Sequence, residues 1–328
     1  MVRVKFRLAL KTILTVCIMA GIFYVYLLDR PTPAPDLKRN VNLCGKDNSS
    51  NVSTSTEIDD NPHNYTFLIN NPEKCGDNDV FLLVMVTSIP RNHAQRLAIR
   101  NTWGNESNVQ GTVIKTVFAV GMTSDASVQR SLEQENSVYK DIIQENFIDS
   151  YRNLTIKTAM CLKWASGFCP MAKFVLKADD DTFVNVFNLV KHLAGLNATQ
   201  ARRFVTGRVY TGGKPVRKTY MVHEKRWCLT RKDYPRDTFP RYPGGYAYVI
   251  SNDITRLIYE VSLTVQYLFI EDVNLGLCLE KLGIDPVHEE RIVFWREVHS
   301  CNDDKISSHW FKTPDAMVNE WRHLISSC

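Results

Sequence analysis

The hydrophobic pattern of the chain opens on Thr12–Leu28, seventeen residues without a charge and with no polar side to face water. Such a run predicts a membrane-spanning helix rather than a buried core helix. At about 1.5 Å per residue it reaches roughly 25 Å, enough for a thin early-secretory bilayer. A cleaved signal peptide is the rival reading, but its apolar core usually runs only about 7–15 residues. Residues 30–78 are polar, with Pro31, Pro33 and Pro35 followed by the Asn48–Ser55 tract, and predict an exposed stem. From Val80 to Cys328 the pattern is globular and uninterrupted, predicting one catalytic-sized domain over 79–328.

Within that domain, apolar runs alternate with helical spacings. Phe81–Val86, Val113–Val120, Phe174–Lys177 and Ala247–Ile250 predict strands, the first an unbroken apolar run before Ser88-Ile89-Pro90, as in a strand buried on both faces. Ser127–Tyr139, Asn153–Phe168, Val186–Leu193, Ile254–Val261 and Val273–Leu282 predict helices, with Ile156, Met160, Trp164 and Phe168 four apart. Alternating strands and helices predict an α/β sheet covered on both sides.

Charge sharpens this picture. The net charge is +5, but Arg3, Lys5, Arg7 and Lys11 supply four of those within residues 1–11, which hold no acid, leaving +1 for residues 12–328. The folded part therefore lacks the basic face of a nucleic-acid binder. The same cluster, opposite a neutral Asp29-Arg30 flank, predicts a cytosolic tail over 1–11, an anchor over 12–28 and a lumenal remainder. Six Asn-x-Ser/Thr sequons (Asn48, Asn51, Asn64, Asn105, Asn153, Asn197) and eight cysteines outside the anchor suit a lumenal, disulfide-bonded protein. Eight cysteines allow 105 pairings, and spacing does not choose among them.

Four segments carry candidate chemistry. In FVLKADDDTF a predicted strand runs directly into Asp179, Asp180 and Asp181, at the strand end where open α/β sheets bind ligands. Three adjacent acids call for a cation, and oxygen ligands suit Mn²⁺ or Mg²⁺ holding a diphosphate; a helix N-cap cluster near Asn185 is the alternative. The aspartyl-nucleophile pattern D-x-D-x-[TV] is excluded by Phe183. In YLFIEDVNLGLCLEKLGI, Glu271 and Asp272 begin a predicted helix, either as a base near the helix dipole or as an acidic first turn. In PGGYAY, Gly244 and Gly245 let backbone approach a ligand, or form a turn before a strand. Arg96 and Arg100, four apart on one helical face, read as diphosphate contacts or as salt-bridge partners.

These residues resemble the Golgi β-1,3-glycosyltransferases, particularly the β-1,3-galactosyltransferases, from about Pro72 to Cys328. The motifs stand in the family's order: FLLVMVTS, R-x-x-I-R-x-T-W-G from Arg96 to Gly104, DSYRNLTIKT, KFVLKADDDTFVN, the Tyr-Pro-Gly-Gly-Tyr turn and EDVNLGLCLEKLGI. The resemblance implies a GT-A fold, a Rossmann-like mixed sheet flanked by helices that binds a UDP-sugar and inverts the anomeric carbon. It implies that Asp179 and Asp181 form the DxD motif, with Asp181 and His309 ligating Mn²⁺ (Mg²⁺ as the alternative), and that Asp272 is the catalytic base. It puts Lys177 and Asp180 near the ribose and phosphates, with Arg96, Arg100 and Lys157 in strings associated with the nucleotide. UDP-galactose as donor, an acceptor glycan on a glycoprotein or glycolipid, and a single-pass type II Golgi membrane protein follow from the same likeness. Pro243 stands where galactosyl-transferring members usually carry Cys, Ala247 replaces a common Gly, and Cys228 is in an unusual place. β-1,3-N-acetylglucosaminyl or N-acetylgalactosaminyl transfer is therefore the alternative. A catalytically inactive glycan-binding membrane protein is the reading from a different class.

Overall fold

The computed structural model describes residues 42–44, 63–76, 78–219 and 221–328. The expected anchor lies outside these residues, and none of the described helices is long and apolar enough to cross a membrane.

Four parallel strands form the centre of an eight-stranded mixed sheet: β3 (Leu82–Thr87), β4 (Ile114–Met122), β5 (Ile142–Ile148) and β6 (Phe174–Asp179). Every residue of β3 is buried, with Leu82, Val84 and Val86 packed into one core cluster and Leu83 and Met85 into another on the opposite face. That double burial is why the run is apolar without alternation. Helices α1 (His93–Arg100), α2 (Ala126–Tyr139) and α3 (Leu154–Phe168) connect the central strands. Chain order runs β3 to β4 to β5 toward one edge, while β6 pairs with β3 on its other side. The order therefore reverses between β3 and β6, opening a crevice at their C-terminal ends, where α/β sheets bind ligands. Beyond β6, β10 (Tyr242–Ser251) runs antiparallel and pairs with β8 (Val205–Tyr210), which pairs in turn with β11 (Val287–His288). The far edge is closed by β2 (Phe67–Ile69) against β5. A mixed sheet flanked by helices is the α/β class expected from the sequence.

The structure departs from the sequence reading in instructive places. β5 escaped notice because Gln144 and Glu145 interrupt its apolar pattern; both are buried, Gln144 donating to Gly121 O and Glu145 pairing with Lys163. The Gly244-Gly245 segment is not a turn but part of β10, at a register shift between Pro243 and Tyr248. Helix α3 is not one-sided: ten of its residues are buried, Lys157 and Thr158 among them. Part of the expected stem belongs to the folded body. Phe67–Ile69 is an edge strand and Cys75 is disulfide-bonded to Cys169 under the sheet. Residues 42–43 form β1, paired with β9 (Lys218–Thr219), and Cys44 is bonded to Cys228. Cys301 pairs with Cys328, while Cys161 and Cys278 stay free and buried.

Four helices complete the body: α4 (Val186–Ala194), α5 (Thr255–Ser262), α6 (Glu271–Leu282) and α7 (Pro314–Ser326). A small sheet of β7 (Thr182–Val184), β12 (Ile292–Val293) and β13 (Ser307–His309) sits beyond the end of β6.

Candidate active site

The crevice between β3 and β6 opens into a cleft of about 590 Å³. Thr87 and Asp179 are register partners across the two strands, and the Thr87 hydroxyl donates to Asp179 Oδ1 at 2.8 Å. One residue further along each chain, Ser88 Oγ donates to Asp180 Oδ2 at 2.6 Å, and Asn92 donates to the same oxygen at 2.8 Å. The three acids thus diverge. Asp180 turns toward the loop after β3, and burial together with the neighbouring Asp181 and Asp179 charges lifts its carboxyl above the usual range despite those two donors.

Asp179 and Asp181 turn the other way and meet His309. Their ligand atoms and a His309 ring nitrogen lie within 4.8 Å of one another, and His309 Nε2 is 2.8 Å from Asp181 Oδ1. β13 brings His309 there: it pairs with Thr182 on β7, and Phe311 N–H donates to Asp181 O at 2.7 Å. Between them Trp310 is held at a φ of +82°, a conformation L-residues avoid and one that clusters at functional sites. Two carboxylates and an imidazole, half-buried at a cleft wall, form a donor set that fits Mn²⁺ or a similar divalent ion. The alternative of a helix cap fails here, because Asn185 itself caps α4, its side chain accepting from Asn188 N–H.

Lys177 sits below this cluster. Its Nζ donates to Asp179 Oδ1 at 2.5 Å and to the Gly245 carbonyl, and lies 3.8 Å from Glu271 Oε2. Burial alone would lower the ammonium, but Asp179 and Glu271 outweigh it and keep it charged. Burial would likewise raise Asp179, but Lys177 and the Thr87 hydroxyl outweigh that and hold the carboxyl below its usual range. An ion pair of this kind leaves Lys177 as a brace for Asp179 rather than a free cation for phosphate.

The opposite wall carries Asp272, at the start of α6. Ile270 is the capping position and offers no side-chain cap. Oδ1 accepts from its neighbour Val273 N–H at 2.9 Å and Oδ2 from Gly245 N–H at 3.3 Å. Burial and the adjacent Glu271 charge push its pKa up to about 7, against those two amides. Glu271 is wholly enclosed, accepting from Thr158 and Tyr248 hydroxyls. Gly245 is required by contact: a Cβ would stand 2.7 Å from Glu271 Oε2, and one on Gly244 would stand 2.8 Å from the Tyr246 ring.

Three expected nucleotide contacts are spent elsewhere. Arg96 is fully buried, bound to Glu135 at 2.6 Å and to the carbonyls of Ile89 and Pro90. Arg100 pairs with Glu135 and Asp141 and lies over the Phe118 ring, away from the cleft. Both corrections have one cause: α1 turns this face into the protein, where a guanidinium must find acids. Lys157 reaches the cleft floor but its Nζ is held by Ser88 O at 2.5 Å and Asp149 at 2.9 Å. The sequence reading missed Tyr151, Arg226, Trp227 and Lys312, which also line the cleft. Lys312 follows His309 by three residues, with Nζ 3.9 Å from the Trp310 ring centre. Arg226 and Trp227 stand beside Cys228, the cysteine whose position was unusual, and that was the available signal.

Comparison with known proteins supplies the class. The family model for galactosyltransferases matches residues 94–290, and the chain belongs to that family. It is a hexosyltransferase. Beta-1,3-galactosyltransferase 1 of Homo sapiens and of Mus musculus are each 39% identical to it over 267 residues, 81% of this chain and 80% of theirs. Lactosylceramide 1,3-N-acetyl-beta-D-glucosaminyltransferase of Mus musculus is 42% identical over 260 residues, 76% of this chain and 67% of its own. Among solved structures, the galactosyltransferase LgtC in complex with donor and acceptor sugar analogues is 10% identical, with a TM-score of 0.39 over 74% of this chain and 96% of its own, a likeness too loose to inform the site.

Proposed function

We propose that this enzyme transfers galactose from UDP-galactose to the 3-hydroxyl of an acceptor glycan in β linkage, inverting the anomeric carbon, on a GT-A scaffold. The observation that carries the reading is the placement of Asp272, whose carboxylate faces the same cleft as Asp179, Asp181 and His309 and is held by Gly245, the residue that also accepts from Lys177.

A sugar hydroxyl is a poor nucleophile until its proton is removed. Asp272, with a pKa of about 7, is poised to take that proton near neutral pH while the hydroxyl oxygen attacks C1. The bond from C1 to the UDP oxygen breaks on the opposite face, the proton stays on Asp272 and UDP departs. One base suffices and no covalent enzyme intermediate forms. Asp179, Asp181 and His309 would hold a divalent cation, which would supply positive charge for the departing diphosphate. Lys177 and Thr87 fix the Asp179 carboxylate, so the donor side is preorganised before any substrate enters.

N-acetylglucosaminyl transfer is the second reading, supported by the 42% identity to a transferase of that sugar and by Pro243 in place of Cys. The lumenal sequons and the apolar Thr12–Leu28 run support residence as a single-pass type II Golgi membrane protein. The test is turnover by the purified full-length chain with Mn²⁺ and UDP-galactose, UDP-N-acetylglucosamine or UDP-N-acetylgalactosamine in turn. Galactose transfer ahead of the others is expected; transfer of none overturns the reading.

A further inference from the structure

The cleft has a wall contributed by a segment that the polar stem reaches back to fasten. Residues 42–43 pair with Lys218–Thr219, Cys44 N–H donates to Arg217 O, and Cys44 is bonded to Cys228. Within the fastened segment Val216 bridges to Cys228, and Leu229 N–H donates to Val216 O at 2.9 Å. The Arg217 guanidinium knits the rest, donating to the carbonyls of Leu229, Thr230, Tyr234 and Arg236. These ties converge on a stretch whose own core is the small cluster of Leu229 and Tyr234 packed with Leu268 and Val273.

This stretch presents Val216, Arg226, Trp227 and Phe239 to the cleft, and the polar chemistry among them is that of Arg226 and Trp227. Trp227 Nε1 donates to the Tyr151 hydroxyl at 2.6 Å, and the Arg226 guanidinium lies 4.4 Å from the Trp227 ring centre and 5.6 Å from that of Tyr151. Arg226 is exposed and has no carboxylate partner among the described residues, whereas Arg96, Arg100, Lys157 and Lys177 all do. A guanidinium laid on two rings keeps its N–H edge pointing outward and ready for oxygen acceptors. Arg152, next to Tyr151, lies 4.5 Å over the Phe269 ring and its carbonyl accepts from the Tyr267 hydroxyl, and Phe269 lines the cleft three residues before Asp272, which sets the group on the base side.

We infer that Trp227 and Arg226, fixed by the Cys44–Cys228 disulfide, are the acceptor-reading wall: the Trp227 ring takes the apolar face of the acceptor's terminal pyranose on the side that Arg226 does not cover, and the guanidinium binds its hydroxyl or acidic oxygens. This rests on the transferase reading above. Residues 42–44, within the expected stem, then support the substrate site and are not only a spacer.

The test uses the purified full-length chain with Mn²⁺, the best UDP-sugar, and lactose or N-acetylglucosamine β-glycosides, whichever the wild type uses better. Trp227→Ala and Arg226→Ala are expected to raise the acceptor KM about tenfold, the loss of one good ring or bidentate contact. KM for the UDP-sugar and its slow hydrolysis without acceptor stay within about twofold, a split that mere loosening of the fold would not give. The Cys44→Ser/Cys228→Ser double variant raises the acceptor KM in the same direction with donor hydrolysis retained, and Arg226→Lys recovers part of the loss. An unchanged acceptor KM in both alanine variants, or a donor KM rising equally, overturns the inference. A wild type that transfers and hydrolyses no UDP-sugar overturns the transferase reading itself.

Discussion

Gly245 N–H donates to Asp272 Oδ2 at 3.3 Å, so one peptide of β10 orients the carboxylate at the head of α6. The carbonyl of that glycine accepts from Lys177, which in turn holds Asp179. Gly245→Ala forces a methyl to within 2.7 Å of Glu271 Oε2 and displaces the acid beside the base. Misplacement of a reacting group by an ångström costs about 10²-fold in rate. The expected outcome is a kcat lowered by about that factor with the Mn²⁺-dependent UDP thermal shift retained; a variant of normal kcat would show that this contact does not set the base.

Asp272 couples rate to pH. A base must be unprotonated, so kcat/KM rises with pH through about 7 and levels above it. Asp272→Asn abolishes this limb and lowers kcat by about 10³-fold. A pH–rate profile flat from pH 5 to 8 would contradict the assignment.

The same residue links to stability with a definite sign. Its folded pKa is raised from 3.8 to about 7, so between those values the native state holds a proton that the unfolded chain has lost. Stability from this group is therefore complete at low pH and falls away as pH rises toward 7. Asn cannot ionise, so the Tm advantage of Asp272→Asn over wild type is expected to widen from pH 5 to 8. Thermal melts of the two proteins across that range check it.

His309 and Asp181 test the metal set. Asp181→Ala and His309→Ala each remove one of three donor atoms that lie within 4.8 Å. Mn²⁺ titration is expected to show at least tenfold weaker binding for either variant, with UDP no longer raising Tm at low Mn²⁺. Equal Mn²⁺ affinity in wild type and both variants would exclude this cluster.

Arg96 is expected to behave as a fold residue. Both it and Glu135 are buried, and removing one partner of such a pair costs about 3–5 kcal/mol. Arg96→Met should lower the denaturant midpoint sharply while the folded fraction keeps its KM for the UDP-sugar. A raised KM at unchanged stability would return Arg96 to the nucleotide.

Much of this site was legible because its residues lie at the ends of strongly patterned elements. The DDD run follows a strand whose burial is written in four apolar letters, so Asp179 and Asp181 could be marked from local order, whereas EDV reads locally as an acidic first turn and Asp272 is singled out by the family resemblance. Arg96 and Arg100 could not be resolved the same way. Whether a helical face meets solvent or Glu135 and Asp141 is decided by packing between residues some forty apart. Arg226 and Trp227 were invisible for the opposite reason: their segment has almost no periodicity, and its shape comes from Arg217 and a cross-link 184 residues long in sequence.

The antiparallel course of β10 has a wider consequence. By entering the sheet against the direction of β6, it lays Gly245 and Tyr246 alongside the tip that ends in Asp179, while the stretch from β8 to β10 hangs free of the central strands. On the acceptor wall inferred above, the transfer chemistry and the choice of acceptor fall on separate lengths of chain, joined through Tyr151 and Cys44. Grafting residues 211–241 between relatives, together with the partners of Trp227 and Cys228 at positions 151 and 44, is expected to exchange the acceptor glycans while leaving the transfer reaction untouched.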